Sequence, residues 1–367
     1  LKVVCSACHR SFNIPDERLP KKDSIAFPCP SCKAMITLDL RSRPSGAPPA
    51  PQRELANRGT GDAETAATAA TAAPPEAAQA GGLPSGEKLI KRILQTAKDL
   101  PPMPQTTIKA HKIIKDPNAS FEDLAAVMEM DQAIATRVLR MANSSYYGMS
   151  GNVSSIQHAS TILGLKVLEE LIVMAWSTKA LASRMEGYGL ESGDLWQHSL
   201  GVAFGSKIIA GSKNPDMAND AFSAGLIHDV GKLVLDSYVL ERRALFTTFL
   251  ADGKETFLNA EKVILGFDHG EIAAELCTNW KVPDNLATAI RYHHSPAASG
   301  GSRLAYIVHM ADVIALMSGM GAGVDGMQYA MDHEVMEKLG MTSEEMSKVM
   351  VQIVEAVQAI SADMQQG

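Results

Sequence analysis

Beyond Ser85 the apolar positions recur at helical spacing almost to the C-terminus. Leu89, Ile90, Ile93, Leu94 and Ala97 trace one face, and Pro101-Pro-Met-Pro104 ends that helix and starts the next. Ser120-Phe-Glu-Asp123 reads as a capping box ahead of Leu124, Val127 and Met128. Asp131 is placed to cap the segment carrying Ile134, Val138, Leu139 and Met141. Ser154 or Ser155 opens another helix, which stops at Gly164 before Leu168, Leu171, Ile172 and Ala175 continue the stripe. Ser192 is a candidate N-cap for the helix through His198, and Thr342-Ser-Glu-Glu345 for a last one carrying Met346, Met350, Val351 and Val354. No stretch here alternates at period two. The pattern predicts an all-α fold over 87–367, with lobes at 87–188 and 189–320 and a helical tail at 321–367.

Upstream the pattern changes twice. Residues 41–86 hold seven prolines, Ala-Thr blocks and only two large aliphatic residues, Leu55 and Leu83, too few to build a core. They read as a flexible Ala/Pro-rich linker whose ends would lie about 35–40 Å apart as a coil. Residues 1–40 carry four of the five cysteines, as Cys5-Ser-Ala-Cys8 and Cys29-Pro-Ser-Cys32. Two Cys-x-x-Cys knuckles twenty residues apart fit the spacing of a four-thiolate zinc site. Phe12, Ile14, Ile25, Phe27 and Ile36 would form a core too small to hold forty residues unaided, so structural zinc is expected to supply the missing stabilisation. Cys5-x-x-Cys8-His9 also matches c-type haem attachment, which would require export.

The 367 residues are 46% hydrophobic, enough for a sizeable core. A net charge of −7 and a pI near 5.8 argue against a general nucleic-acid binder. The amino terminus, Leu1-Lys-Val-Val-Cys, runs into a cysteine motif and not into the apolar core of a signal peptide. The longest apolar clusters, such as Leu171-Ile-Val-Met-Ala-Trp176, are too short to span a bilayer. A cytoplasmic protein without membrane contact is expected. Ten of the nineteen methionines lie from Met310 onward, and two readings stand for them: an adaptable contact surface, which a homodimer could use, or gap-filling in the core.

The chemistry centres on Ala224-Gly-Leu-Ile-His-Asp-Val-Gly-Lys-Leu-Val-Leu235. His228 and Asp229 sit inside an apolar helical run, where each needs a partner or an ion to offset the loss of water. Neutral imidazole and carboxylate are both good ligands for a divalent first-row ion. Other candidates are His198, His269 in Gly-Phe-Asp-His-Gly-Glu, His293 and His294 in Arg-Tyr-His-His-Ser-Pro, and Asp312 in His-Met-Ala-Asp-Val-Ile-Ala. His309, one turn before Asp312, shares its face and is either a supporting or an ordinary core residue. His9, His111, His158 and His333 have no companions and read as structural or surface residues.

The order His, His-Asp, His, His-His, Asp resembles the HD superfamily of metal-dependent phosphohydrolases. More closely, the region from about Leu100 resembles the HDOD family, the HD-related output domain of bacterial signalling proteins. The phrases that carry this are Leu100-Pro-Pro-Met-Pro, Val138-Leu-Arg-Met-Ala-Asn-Ser-Ser-Tyr-Tyr-Gly148, Val153-Ser-Ser-Ile, Leu163-Gly-Leu and the His228-Asp229 segment. Residues 1–40 are similar to the short zinc-ribbon modules that open many bacterial regulatory proteins. The resemblance implies a metal site made by His198, His228, Asp229 and Asp312, with His269 and one of His293 and His294 completing a second ion's shell. One or two divalent ions (Fe, Mn, Zn, Ni or Mg) would fit. In HD enzymes such ions polarise a phosphoryl oxygen and deprotonate water, and Lys232 stands where they place a phosphate-contacting lysine. The Asp-Gly-x-Gly-Tyr-Pro loop of HD-GYP cyclic di-GMP phosphodiesterases is missing, since His293-His294 runs into Ser295-Pro-Ala-Ala-Ser-Gly-Gly. Two functions follow: a regulatory output module that binds a signalling protein or small ligand, or a metal-dependent phosphohydrolase acting on a nucleotide or phosphoester.

Overall fold

A computed structural model of the protein describes the strands within residues 2–39 and then residues 85–96, 109–110, 112–114, 116, 118, 120–148, 153–253, 255–321, 323–324, 326 and 331–365. The chain divides into two compact units, Leu1–Glu76 and Ala77–Gly367. In the first, β1 (Lys2–Val4) pairs antiparallel with β2 (Ser11–Asn13), Val3 opposite Phe12. β3 (Ser24–Pro28) pairs antiparallel with β4 (Met35–Asp39), Phe27 opposite Ile36. Cys5, Cys8, Cys29 and Cys32, the zinc expected on them, and the linker before Ser85 lie outside the described residues.

Among the described residues of the second unit the regular elements are all helices, and the loops between them hold one isolated bridge, between Met185 and Leu190. α1 (Gly86–Thr96), α2 (Phe121–Glu129), α3 (Gln132–Ala142) and α4 (Ile156–Ala180) come first. The metal-motif region follows as α5 (Asp194–Lys213), α6 (Ala218–Ile227), α7 (Gly231–Glu241), α8 (Arg243–Phe249), α9 (Phe257–Ile264), α10 (His269–Asn279), α11 (Asp284–Arg291) and α12 (Arg303–Met317). The short α13 (Val335–Leu339) and the long α14 (Ser343–Gln365) complete the chain. No helix of the described residues is long and apolar enough to cross a membrane.

Most local signals act as the pattern predicts. Ser120 and Asp123 form a capping box, Asp131 accepts from the Ile134 amide, and Ser155 accepts from the His158 amide. Thr342 and Glu345 cap each other's backbone at the start of α14. Gly164, with φ 78 and ψ 162, breaks α4 where the stripe is interrupted. Ser192 does not cap α5. Gly193 takes that position at φ 87, a left-handed conformation that serine seldom adopts, and Asp194 accepts from the Glu191 amide at 2.9 Å.

α5 is apolar or small on nearly every side and is buried accordingly, packed by α6, α12 and α14. The close approach of α14 explains the absence of a side chain at Gly205, where a Cβ would stand 2.7 Å from Ile353 Cδ1. α14 therefore belongs to the core. Val349, Ile353, Ala356, Val357 and Ile360 are buried, and Met346, Met350 and Met364 pack against them. Here the gap-filling reading of the methionines applies. α1 differs from its expected place in the 87–188 lobe: it packs on α10, and the Gly86 amide donates to the Leu265 carbonyl at 2.7 Å.

Candidate metal centre

Four helix ends and two helix interiors bring the candidate ligands to one place. His198 projects from α5 and Asp312 from the middle of α12. His228 closes α6, Asp229 follows it in the tight turn into α7, and Lys232 stands in the first turn of α7. His269 is the first residue of α10, held there by the Asp268–Glu271 capping box. His293 and His294 leave the end of α11. Every one of these side chains is at most 8% exposed.

Asp229 lies at the middle. Its Oδ2 is 2.8 Å from Lys232 Nζ, 3.5 Å from His228 Nε2 and 3.7 Å from His198 Nε2. Its Oδ1 is 3.3 Å from His269 Nε2 and 3.8 Å from His293 Nε2. Asp312 completes the enclosure, with Oδ1 3.2 Å from His198 Nε2 and Oδ2 3.7 Å from His294 Nδ1. His269 and His294 face each other through Nε2 atoms 2.9 Å apart. Three ligand groups share a reach of 4.8 Å: Asp229 with His269, His293 and His294; His198 with His228 and Asp229; and His228 with His293 and Asp312. The first two overlap at Asp229, the arrangement that one or a pair of ions bridged by a carboxylate would need.

The donor set fits a divalent metal on two counts. Several imidazoles are turned by bonds at their far nitrogen: His228 Nδ1–H donates to the Gly225 carbonyl at 2.8 Å and His293 Nδ1–H to the Ile290 carbonyl at 2.6 Å. That fixes the tautomer and leaves Nε2 as the ligand atom. Those inward atoms then lack partners. His228 Nε2, His293 Nε2 and Asp229 Oδ1 are buried without a hydrogen bond, an arrangement that costs free energy unless a cation or water meets them. With imidazole and carboxylate donors and no thiolate, the cluster could hold a borderline or hard divalent ion.

Electrostatics follow the same geometry. Burial alone would raise Asp229, but the Lys232 ammonium and the surrounding imidazoles hold its carboxyl well below the usual range. Asp312 is likewise lowered against its burial, by the His198 hydrogen bond and charge. Burial keeps His228 and His294 below the ordinary imidazole value and takes His293 down to about 3. His269 moves the other way: burial opposes its charge, yet the adjacent Glu261 carboxylate raises it to about 9.

The metal-free protein is therefore expected to lose stability on acidification. His293 titrates at about 3 folded against 6.5 unfolded, so its contribution is full above 6.5 and is lost as pH falls through that window. Between pH 7 and 5 it amounts to about 2 kcal/mol, with His228 and His294 acting in the same direction. His269 has the opposite sign, its contribution being present below 6.5 and lost as pH rises through about 9. Urea midpoints from pH 5 to 9 on chelator-treated protein check this; equal midpoints at pH 7 and 5 would contradict neutral buried histidines.

Two supporting residues were not legible in advance. Glu261, fully buried on α9, faces His269 Nδ1 at 2.7 Å, and Tyr188 donates its hydroxyl proton to Glu261 at 2.5 Å. Neither belongs to a motif, and only the fold brings them near. His309 points away from the cluster: its Nδ1–H donates to the His293 carbonyl at 2.7 Å and its Nε2 accepts from the Asp332 amide at 2.9 Å. It is a satisfied core residue that steadies the backbone at His293, a candidate ligand. His158 and His333 are exposed, while His9 and His111 lie outside the described residues.

Comparison with known proteins places this geometry in a family. An uncharacterized protein of Treponema pallidum (strain Nichols) is 24% identical over 209 residues, which are 57% of this chain and 40% of that protein, so the chain spans less than half of its relative's length. A crystal structure of an HDOD domain protein of unknown function from Geobacter sulfurreducens superposes with a TM-score of 0.61 at 25% identity, covering 75% of this chain and 97% of the other. A protein of Marinobacter aquaeolei VT8, provisionally described as a signal transduction protein, gives 0.59 at 27% identity over 75% of this chain and 63% of its own. The family model of the HDOD domain matches residues 100–296, more than half of the sequence and all the cluster's residues but Asp312, and the chain belongs to the HDOD domain family.

Proposed function

We propose that this chain is a regulatory output protein of bacterial signal transduction, whose helical unit is organised by a divalent-metal centre and acts by binding a signalling protein or a small ligand. The observation that carries this reading is the closure of the site. Six of the seven candidate ligands are at most 4% exposed and His294 is 8% exposed. A phosphoester would have to place its oxygens on an ion held there. A closed centre serves better to tie α5, α6, α10, α11 and α12 together than to turn over a nucleotide. His198, His228, Asp229 and Asp312 would hold one ion, and His269, His293 and His294 would share Asp229 with a second.

One observation favours the alternative, a metal-dependent phosphohydrolase. Lys232 Nζ stands 2.8 Å from Asp229, beside the seven candidate ligands that the fold brings together. Bound ions would supply Lewis acidity towards a phosphoryl oxygen and a more acidic water. Lys232 would bind the substrate phosphate. The test is a panel of nucleotides and phosphoesters offered to metal-loaded protein: no turnover is expected. Hydrolysis that disappears with chelator and in Lys232→Ala would establish the enzyme instead.

A further inference from the structure

We propose that Glu261 is a positioning residue for the metal centre: clasped by Tyr188, it binds His269 through Nδ1 and so presents Nε2 of that imidazole to Asp229 and His294. The inference rests on the reading of the cluster as a metal site. Three contacts define it. Glu261 Oε1 accepts the Tyr188 hydroxyl proton at 2.5 Å, while Oε2 accepts the His269 amide at 3.1 Å and the Nδ1 proton at 2.7 Å. The carboxylate has no exposure to solvent.

A buried carboxylate is costly, and an apolar side chain would join α9 to α10 without that cost. The neighbouring ligands show what makes this one different. His228 and His293 turn Nδ1 to neutral backbone carbonyls, of Gly225 and Ile290. His269 alone among these three is held by a charged partner, which makes Nε2 a stronger donor to an ion and fixes the ring plane. Tyr188 then sets the carboxylate itself. Its backbone is pinned by Asp236, whose Oδ1 accepts from the Tyr188 amide at 3.2 Å, and by Val324, whose amide donates to the Tyr188 carbonyl at 2.8 Å. The chain Tyr188–Glu261–His269 thus links the turn closed by the Met185–Leu190 bridge to the ion that His269 would bind.

Glu261→Gln keeps the size and an acceptor oxygen but removes the charge. In full-length protein titrated with Mn(II), an ion that four thiolates do not favour, electron paramagnetic resonance of free Mn(II) is expected to show affinity weakened roughly 10–100-fold by this change. Tyr188→Phe should weaken binding in the same direction and by less. Loading with Co(II) gives a second readout, since a ligand imidazole shows a shifted, solvent-exchangeable N–H resonance in the proton spectrum. The resonance that disappears in His269→Ala should move in Glu261→Gln and in Tyr188→Phe. Wild-type protein that takes up no Mn(II) would overturn the metal-centre reading itself. Wild-type protein that binds, with Glu261→Gln equal to it in affinity and in that resonance, would overturn the role of Glu261 alone. Should Glu261→Gln fail to fold, Tyr188→Phe decides on the same two measurements.

Discussion

Asp229→Asn is expected to remove divalent-metal binding from the helical unit and to lower the stability of the metal-free protein by about 3 kcal/mol. Asp229 joins the group of His269, His293 and His294 to the group of His198 and His228. Its two oxygens face four imidazoles and the Lys232 ammonium between 2.8 and 3.8 Å. Asparagine keeps the shape and one oxygen but carries no charge, and its N–H₂ would either face the Lys232 ammonium, which can only donate, or occupy an imidazole Nε2 lone pair that an ion would need. The loss of negative charge also leaves Lys232, 5% exposed, without the carboxylate that stands 2.8 Å from it. Metal content after dialysis and urea unfolding in chelator measure the two effects separately. Zinc expected on Cys5, Cys8, Cys29 and Cys32 should remain in the count. Full retention of metal in the helical unit would show that Asp229 is not among its ligands, whereas a parent helical unit that takes up no metal but is still destabilised by the change would make the cluster a hydrogen-bonded node.

How far the sequence alone reaches can be seen residue by residue. Caps such as Ser120, Asp131, Ser155 and Thr342 are readable because a cap is local, a side chain meeting an amide three residues on. Ser192 misleads for the same local reason, since the glycine beside it takes the turn that α5 needs. The ligand set is a different matter. His228 and Asp229 attract attention as polar groups in an apolar run, but it was the resemblance to a known motif order that joined them to His198, His269, His293, His294 and Asp312. Their side chains do meet in the fold. Glu261 and Tyr188 escaped because their purpose exists only across 8 and 73 residues of separation, with no pattern to mark them. The seat of α1 on α10 and of α14 on α5 is equally invisible to periodicity, which shows which face is apolar and not what covers it. Gly201-x-x-x-Gly205 was the available signal for α14: small residues one turn apart let another helix come close.

The glycine of His-Asp-x-Gly-Lys makes the strongest demand on space. Gly231→Ala is expected to cost more than about 3 kcal/mol and, in whatever protein still folds, to loosen the metal centre. A Cβ at Gly231 would stand 2.0 Å from the His269 carbonyl oxygen and 2.9 Å from the Ala273 amide nitrogen, both backbone atoms at the start of α10. No rotamer can relieve that contact. Gly231 does not have a positive φ, so the requirement is one of room and not of conformation. Accommodation would force α7 and α10 apart by an ångström or more on van der Waals grounds. Asp229 and Lys232 sit at one side of that seam and His269 at the other, so the same shift would lengthen the 3.3 Å approach of His269 to Asp229. Gly211 supplies the control. It lies exposed in the last turns of α5, where an added Cβ meets nothing within 4 Å. Gly211→Ala should be neutral or stabilising by up to about 1 kcal/mol through helix propensity. Urea unfolding of both variants, with Mn(II) binding measured on each, tests the account. If Gly231→Ala were as stable as Gly211→Ala and bound metal as the parent does, close packing would not be why this position is glycine.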